Sequence, residues 1–237
     1  MFQRSVPLPP SLTLPDGTEV GLRRSGRARR LILTVSRATG GAMLTLPPRA
    51  SLPEARAFLT ARADWLAQTR ARLPQPALVR VGVRLPVAGT EVAITPAPVR
   101  ACRLEDAALL VPEGRPPGPP VAAWLRERAR AALVPACSRH AAALPAGARR
   151  LQGIVLRDTR SRWGSCTAQG RLMFSWRLAM APPQVLDYVA AHEVAHLAHM
   201  DHSPAFWAEV GRLMPGWTRQ RDWLRHHGTA LQSWQFR

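Results

Sequence analysis

His192, Glu193 and His196 stand in the run His192-Glu193-Val194-Ala195-His196, a spacing that lets two imidazoles and a carboxylate serve one metal ion. On an α-helix, side chains four residues apart lie one above the other, so both histidines can turn a nitrogen toward the same point. Glu193 sits beside them and is not needed as a ligand. A carboxylate there can take a proton from metal-activated water, which is the chemistry of zinc-dependent hydrolysis.

A catalytic zinc needs a third protein ligand and an open corner. His199 shares the helical face but lies about 10 Å along the axis from His192, too far for all three nitrogens to reach one ion. His202 follows Asp201 and precedes Ser203-Pro204, which read as the N-cap and first position of a new helix carrying Phe206, Trp207, Val210, Leu213 and Met214. A turn held by the Asp201 side chain lets the chain leave the first helix and swing His202 back. His202 is therefore preferred over His199 as the third ligand.

The flanking sequence supplies a scaffold for these residues. Pro182-Pro183 suits a helix start, and Val185, Leu186, Val189, Ala190, Val194 and Leu197 give a broad apolar flank, so the histidines ride on a largely buried helix. Before it, residues 151–156 and 171–178 read as strands on either side of Arg162-Trp163-Gly164-Ser165-Cys166, with Ala168-Gln169-Gly170 turning into the second. Trp163-Gly164-Ser165 reads either as an edge strand that pairs with an extended substrate or as a structural hairpin packed by Trp163. Tyr188 lies one turn before His192, where packing is favoured over stabilising an oxyanion; Arg162 is another candidate for that second role.

Pro-rich punctuation divides the rest. Residues 1–15 read as a flexible tail. Residues 16–111 read as a β-rich lobe with one helix. In it, strands fall at 19–24, 29–36 and 42–46, with Thr39-Gly40-Gly41 turning between the last two. The capping signal Ser51-Leu52-Pro53-Glu54 then opens a helix to about residue 72, and two or three further strands fall within 79–111. Residues 112–120 form a Pro/Gly linker. From 121 to about 144 an amphipathic helix runs through Trp124, Leu125, Arg128 and Leu133, with Pro135 expected to kink or divide it. The catalytic region is 121–230, and 231–237 is a tail.

At 237 residues and 46% hydrophobic content, the chain can bury a substantial core. No stretch is long enough to cross a bilayer and the opening lacks the apolar run of a secretory signal, so no membrane partner is expected and the expected location is the cytoplasm. Cys102, Cys137 and Cys166 form no paired framework and fit a reducing compartment. A net charge of +18 would ordinarily point to nucleic acid. Lysine and asparagine are absent, however, and all 33 basic residues are arginine, a bias that GC-rich coding produces without any binding role.

The run Arg157-Asp158-Thr159-Arg160-Ser161-Arg162-Trp163-Gly164-Ser165-Cys166, the Ser175-Trp176-Arg177-Leu178 strand and His192-Glu193-Val194-Ala195-His196-Leu197 together resemble the YgjP-like (DUF45) metallopeptidase family. The likeness continues through His202-Ser203-Pro204-Ala205-Phe206-Trp207 and Met214-Pro215-Gly216-Trp217, and the arginine-rich front strands followed by a helix are also similar. The resemblance implies an α+β fold with a zincin-like catalytic domain built on the HExxH helix. It also implies a Zn²⁺ held by His192, His196 and His202, with Glu193 as general base in peptide-bond hydrolysis. Two departures stand out. Asp201 occupies a position where the family often has asparagine, and both side chains can hold the same turn. The histidine spacing equals that of metzincins, but His199 takes the place of their glycine and no Met-turn is evident.

Two alternatives stay open at this point. Arg157, Arg160 and Arg162 can hold phosphates, so the same metal could serve hydrolysis of a nucleotide phosphoanhydride. A nucleic-acid-binding module with a structural zinc would instead need a closed site of four protein ligands, usually with cysteine. Substrate preference and oligomeric state are not legible in the sequence.

Overall fold

A computed structural model of the chain describes residues 8–36, 40–73, 75–159 and 161–237. The fold is mixed α+β, with six α-helices and three small sheets among those residues. It divides into two compact units, Met1–Gln75 and Pro76–Arg237.

In the first unit, alternating apolar residues make β1 (Ser11–Thr13), β2 (Glu19–Arg24), β3 (Ile32–Val35) and β4 (Ala42–Leu46), in the order β1-β2-β4-β3 with β2 and β4 parallel. Residues 11–14, which read as part of a tail, are held: β1 pairs with β2, and Leu12 and Leu14 are buried. A three-residue strand carries too short an alternation to stand out beside its prolines. Of the turn read between β3 and β4, Thr39 lies outside the described residues, while Gly40 takes φ 68°. The helix read to residue 72 is two, α1 (Leu52–Ala61) and α2 (Ala63–Ala71), broken at Arg62. Its start holds as a reciprocal cap, with Ser51 N donating to Glu54 at 2.7 Å and Glu54 N to Ser51 Oγ at 3.3 Å.

The second unit opens with β5 (Arg84–Val87), β6 (Thr90–Ala97), β7 (Arg103–Glu105) and β8 (Ala108–Pro112), ordered β5-β6-β8-β7. The proline punctuation groups this sheet with the front lobe. Instead Leu85, Ile94, Leu109 and Val111 share one core with α3 (Gly118–Ala142), so burial of its apolar face ties the sheet to that helix. Pro135 does not divide α3: Val121, Leu125, Ala129, Leu133 and Ala136 bury a continuous stripe that outweighs the hydrogen bond proline removes. Helix α3 also begins inside the segment read as a linker.

A third sheet, ordered β10-β11-β9, comprises β9 (Gly153–Arg157), β10 (Gly164–Cys166) and β11 (Arg171–Ser175). The strand read to residue 178 ends at Ser175 and tightens into a buried 3-10 helix, Trp176–Met180. Helices α4 (Pro183–Ala195), α5 (Pro204–Leu213) and α6 (Trp217–Ser233) complete the unit. Residues 231–237 are not loose: Leu231, Gln232 and Ser233 are buried, and Phe236 meets Trp176 edge-on at 5.0 Å. No helix among the described residues is long and apolar enough to cross a membrane.

Candidate metal centre

Pro182 is extended and Pro183 opens α4, where its missing N–H would have had no helical partner. Val185, Leu186, Val189, Ala190 and Val194 bury the helix, so His192 and Glu193 on its last turn are fixed by the core. His196 caps that turn. Its Nδ1 donates to the His199 carbonyl at 2.9 Å; a carbonyl only accepts, so the proton stays on Nδ1 and Nε2 is left bare for a metal.

His199 thus supplies its carbonyl, not its imidazole. Beyond it, the Ser203 N–H donates to Asp201 at 3.3 Å, and the Phe206 N–H donates to Ser203 Oγ, capping α5. This double turn reverses the chain and carries His202 back over α4. His202 Nε2 lies 3.3 Å from His192 Nε2, and ligand atoms of His192, His196 and His202 all fall within 4.8 Å of one another. Tetrahedral bonds of about 2.0–2.1 Å separate ligand nitrogens by about 3.3–3.4 Å, so the first pair already has the spacing a zinc ion requires. Among the described residues no cysteine or carboxylate joins the three.

Phe206 is fully buried and stands against every ring, with centroids 4.9 Å from His192, 4.4 Å from His196 and 4.9 Å from His202. His192 Nδ1 is buried with no hydrogen-bond partner among the described residues, so on that side ring packing orients the side chain. Burial, followed by the neighbouring histidines, pushes His192 down to about 3, and burial also lowers His196. Both imidazoles are neutral near pH 7, the form that binds metal.

Glu193 is 5% exposed, and burial raises its carboxyl to about 8 against the opposing pull of Arg162. It faces β10, one of the two outer strands of its sheet. A Cβ on Gly164 would stand 2.5 Å from Glu193 Cγ and 2.7 Å from Cδ, so the strand passes the carboxylate only because Gly164 has no side chain. Trp163, Gly164, Tyr188, Val189, His192, Glu193 and Leu224 line a cleft of about 240 Å³.

Trp163 is also packed from behind, since a Cβ on Gly228 of α6 would come within 3.0 Å of its ring. Tyr188 is buried and stacks on Trp217 at 6.1 Å, and burial raises its hydroxyl to about 12. Arg157 and Arg162 are exposed; Arg160 lies outside the described residues. Sequence reasoning missed the contact of Gly164 with Glu193, the position of Phe206 among the rings, and the indole pair Trp207 and Trp217, stacked at 4.7 Å. Only the last left a signal, because Trp217 and Arg221 are spaced to share a helical face and Arg221 lies over both indoles.

A family model described as YgjP-like, metallopeptidase domain matches residues 29–227. No curated protein matches the chain. Among solved structures, it is similar to the crystal structure of the metallopeptidase zymogen of Pyrococcus abyssi abylysin, at 21% identity and a TM-score of 0.31, over 47% of this chain and 95% of that one. The family match gives no support to a nucleotide substrate or a nucleic-acid partner. With a match that spans most of its length and takes in the histidine helix, the chain belongs to the YgjP-like metallopeptidase family, and so to the peptidase hydrolases that work through a metal ion.

Proposed function

We propose that the chain is a zinc-dependent metallopeptidase with a zincin-like centre, in which His192, His196 and His202 hold the ion and Glu193 is the general base. One observation carries the reading: three imidazoles converge beside a buried carboxylate, with no fourth protein ligand gathered among the described residues. Three neutral nitrogen donors without a thiolate suit a catalytic zinc and not a closed structural site. When bound, zinc supplies the Lewis acidity that makes water nucleophilic near neutral pH and polarises a substrate carbonyl.

The chain's own residues do the rest. Beside a divalent cation Glu193 is favoured in its ionised form over the protonated one that burial alone promotes, and a Glu193 Oε then takes the proton of the attacking water and passes it to the leaving amine. Gly164 leaves room for that carboxylate, and Phe206 holds the three rings in place. The outer edge of β10 is free among the described residues to pair with an extended peptide. The catalytic region is residues 121–230, braced by the sheet β5 to β8. Three unpaired cysteines fit a reducing compartment, and the cytoplasm is the proposed location.

Metal analysis and peptide hydrolysis test this together. Glu193→Gln should keep its zinc and lose at least about a hundredfold in hydrolysis, the usual contribution of a general base. His192→Ala and His196→Ala should lose both metal and activity. Full activity in the Gln variant would overturn the assignment of the base.

A further inference from the structure

Helix α6 presents Trp217, Arg221 and Leu224 at i, i+4 and i+7, the spacing of one face, and Leu224 lines the cleft beside Glu193. The Arg221 guanidinium stands 4.9 Å from the Trp207 ring centroid and 5.6 Å from that of Trp217. Trp207 in turn lies 5.6 Å from the His192 ring and 5.8 Å from that of His202. Two stacked indoles therefore hold one cation, and the nearer indole packs against two of the three histidines.

Several arginines of this unit have their charge matched, whereas Arg126 and Arg128, which also lie over indoles without an ion pair among the described residues, stand away from the histidines. Arg177 is paired with Asp158, Arg139 with Asp187 and Arg212 with Glu209. The acid beside Arg221, Asp222, faces Arg225 at 3.6 Å. Arg221 has no ion pair among the described residues. Contact with an indole face leaves the in-plane N–H groups of a guanidinium free, and that fork matches a carboxylate.

We infer that Arg221 forms a carboxylate-binding subsite on the rim of the metal centre, selecting peptides that carry a carboxylate near the bond to be cleaved. This rests on the metallopeptidase reading above. A peptide offers the group from two sources, an Asp or Glu side chain or a free C-terminus, and the chemistry recognised is the same. The chain's excess of 33 basic over 15 acidic residues also favours encounter with acidic substrates.

Binding tests it apart from turnover. In zinc-loaded full-length Glu193→Gln protein, calorimetry would compare peptides bearing Asp or Glu at each position with their Asn or Gln isosteres. It would also compare free C-termini with C-terminal amides. One of the two series should bind about tenfold tighter in its charged form, the worth of a charge-assisted hydrogen bond. That preference should fall to within about twofold when Arg221→Gln is added, and Arg221→Lys should be intermediate because it keeps charge without the fork. Metal content and circular dichroism would establish that both variants are folded.

Equal binding of acid and isostere with Arg221 present, a preference that survives Arg221→Gln, or no binding of any peptide would overturn the subsite. Failure of the wild-type protein to cleave peptides that it binds with the expected preference would instead count against the peptidase reading and leave the subsite standing.

Discussion

Gly164 and Glu193 lie far apart in the chain yet compete for one volume, and the carboxylate keeps it because the strand residue has no side chain. Gly164→Ala should therefore leave the histidines and the bound metal in place while displacing Glu193. Misplacing a catalytic group by about an ångström costs on the order of a hundredfold in rate, so kcat should fall by about that much with zinc content unchanged. A fully active Ala variant would show that the carboxylate has room to move. The convergence of the three histidines was legible because His192 and His196 stand one helical turn apart and because Asp201 and Ser203 mark the turn that returns His202 to them. Gly164 left no such trace. Its requirement arises when a strand edge is laid against a helix, and no pattern within either segment encodes that approach.

Among the secondary-structure elements, the 3-10 helix after β11 shows where periodicity misleads. Arg171 to Leu178 reads as one strand, but every residue of the segment Trp176–Met180 is buried, including Arg177. Arg177 donates to Asp158 at 2.6 Å, to the Leu231 carbonyl at 3.2 Å and to the Trp234 carbonyl at 2.9 Å. Trp176 and Phe236 flank its guanidinium at 4.9 Å and 5.1 Å. This clasp joins the third sheet to the end of α6, and it is why residues 231–237 are held. Arg177→Ala should destabilise the second unit by about 3 kcal/mol, since it strands two backbone carbonyls and empties the space between Trp176 and Phe236, while the exposed Asp158 returns to water. Lysine should rescue little because it lacks the fork. Urea denaturation monitored by tryptophan fluorescence would measure both, and a loss under about 1 kcal/mol would rule out the clasp as a main tie. A buried arginine is invisible in a sequence with so many, because only its partners distinguish it.

For the whole molecule, the α+β class and most strands can be read from apolar alternation and turn residues, but the division of the chain cannot. Proline-rich stretches suggest a boundary near residue 112, whereas the two cores divide after Gln75. Punctuation marks where the backbone turns; shared burial decides which elements belong together. The second unit contains all three histidines of the proposed zinc site, so residues 76–237 alone should bind zinc within about threefold of the full chain's affinity by competition with a chelator, a spread of under 1 kcal/mol. A tenfold loss would mean that the first unit supports the site.

The edges of the second unit also meet. Val79 N donates to the Gln235 carbonyl at 2.9 Å, and Gln235 N to the Ala77 carbonyl at 2.8 Å. During translation, the first 75 residues can fold while the rest is still being made. The second unit has no such head start. Its opening segment must wait for Gln235 to leave the ribosome, and until then Arg177 lacks the carbonyls of Leu231 and Trp234. Nascent protein stalled short of those residues would therefore carry a complete histidine motif on an unfinished scaffold.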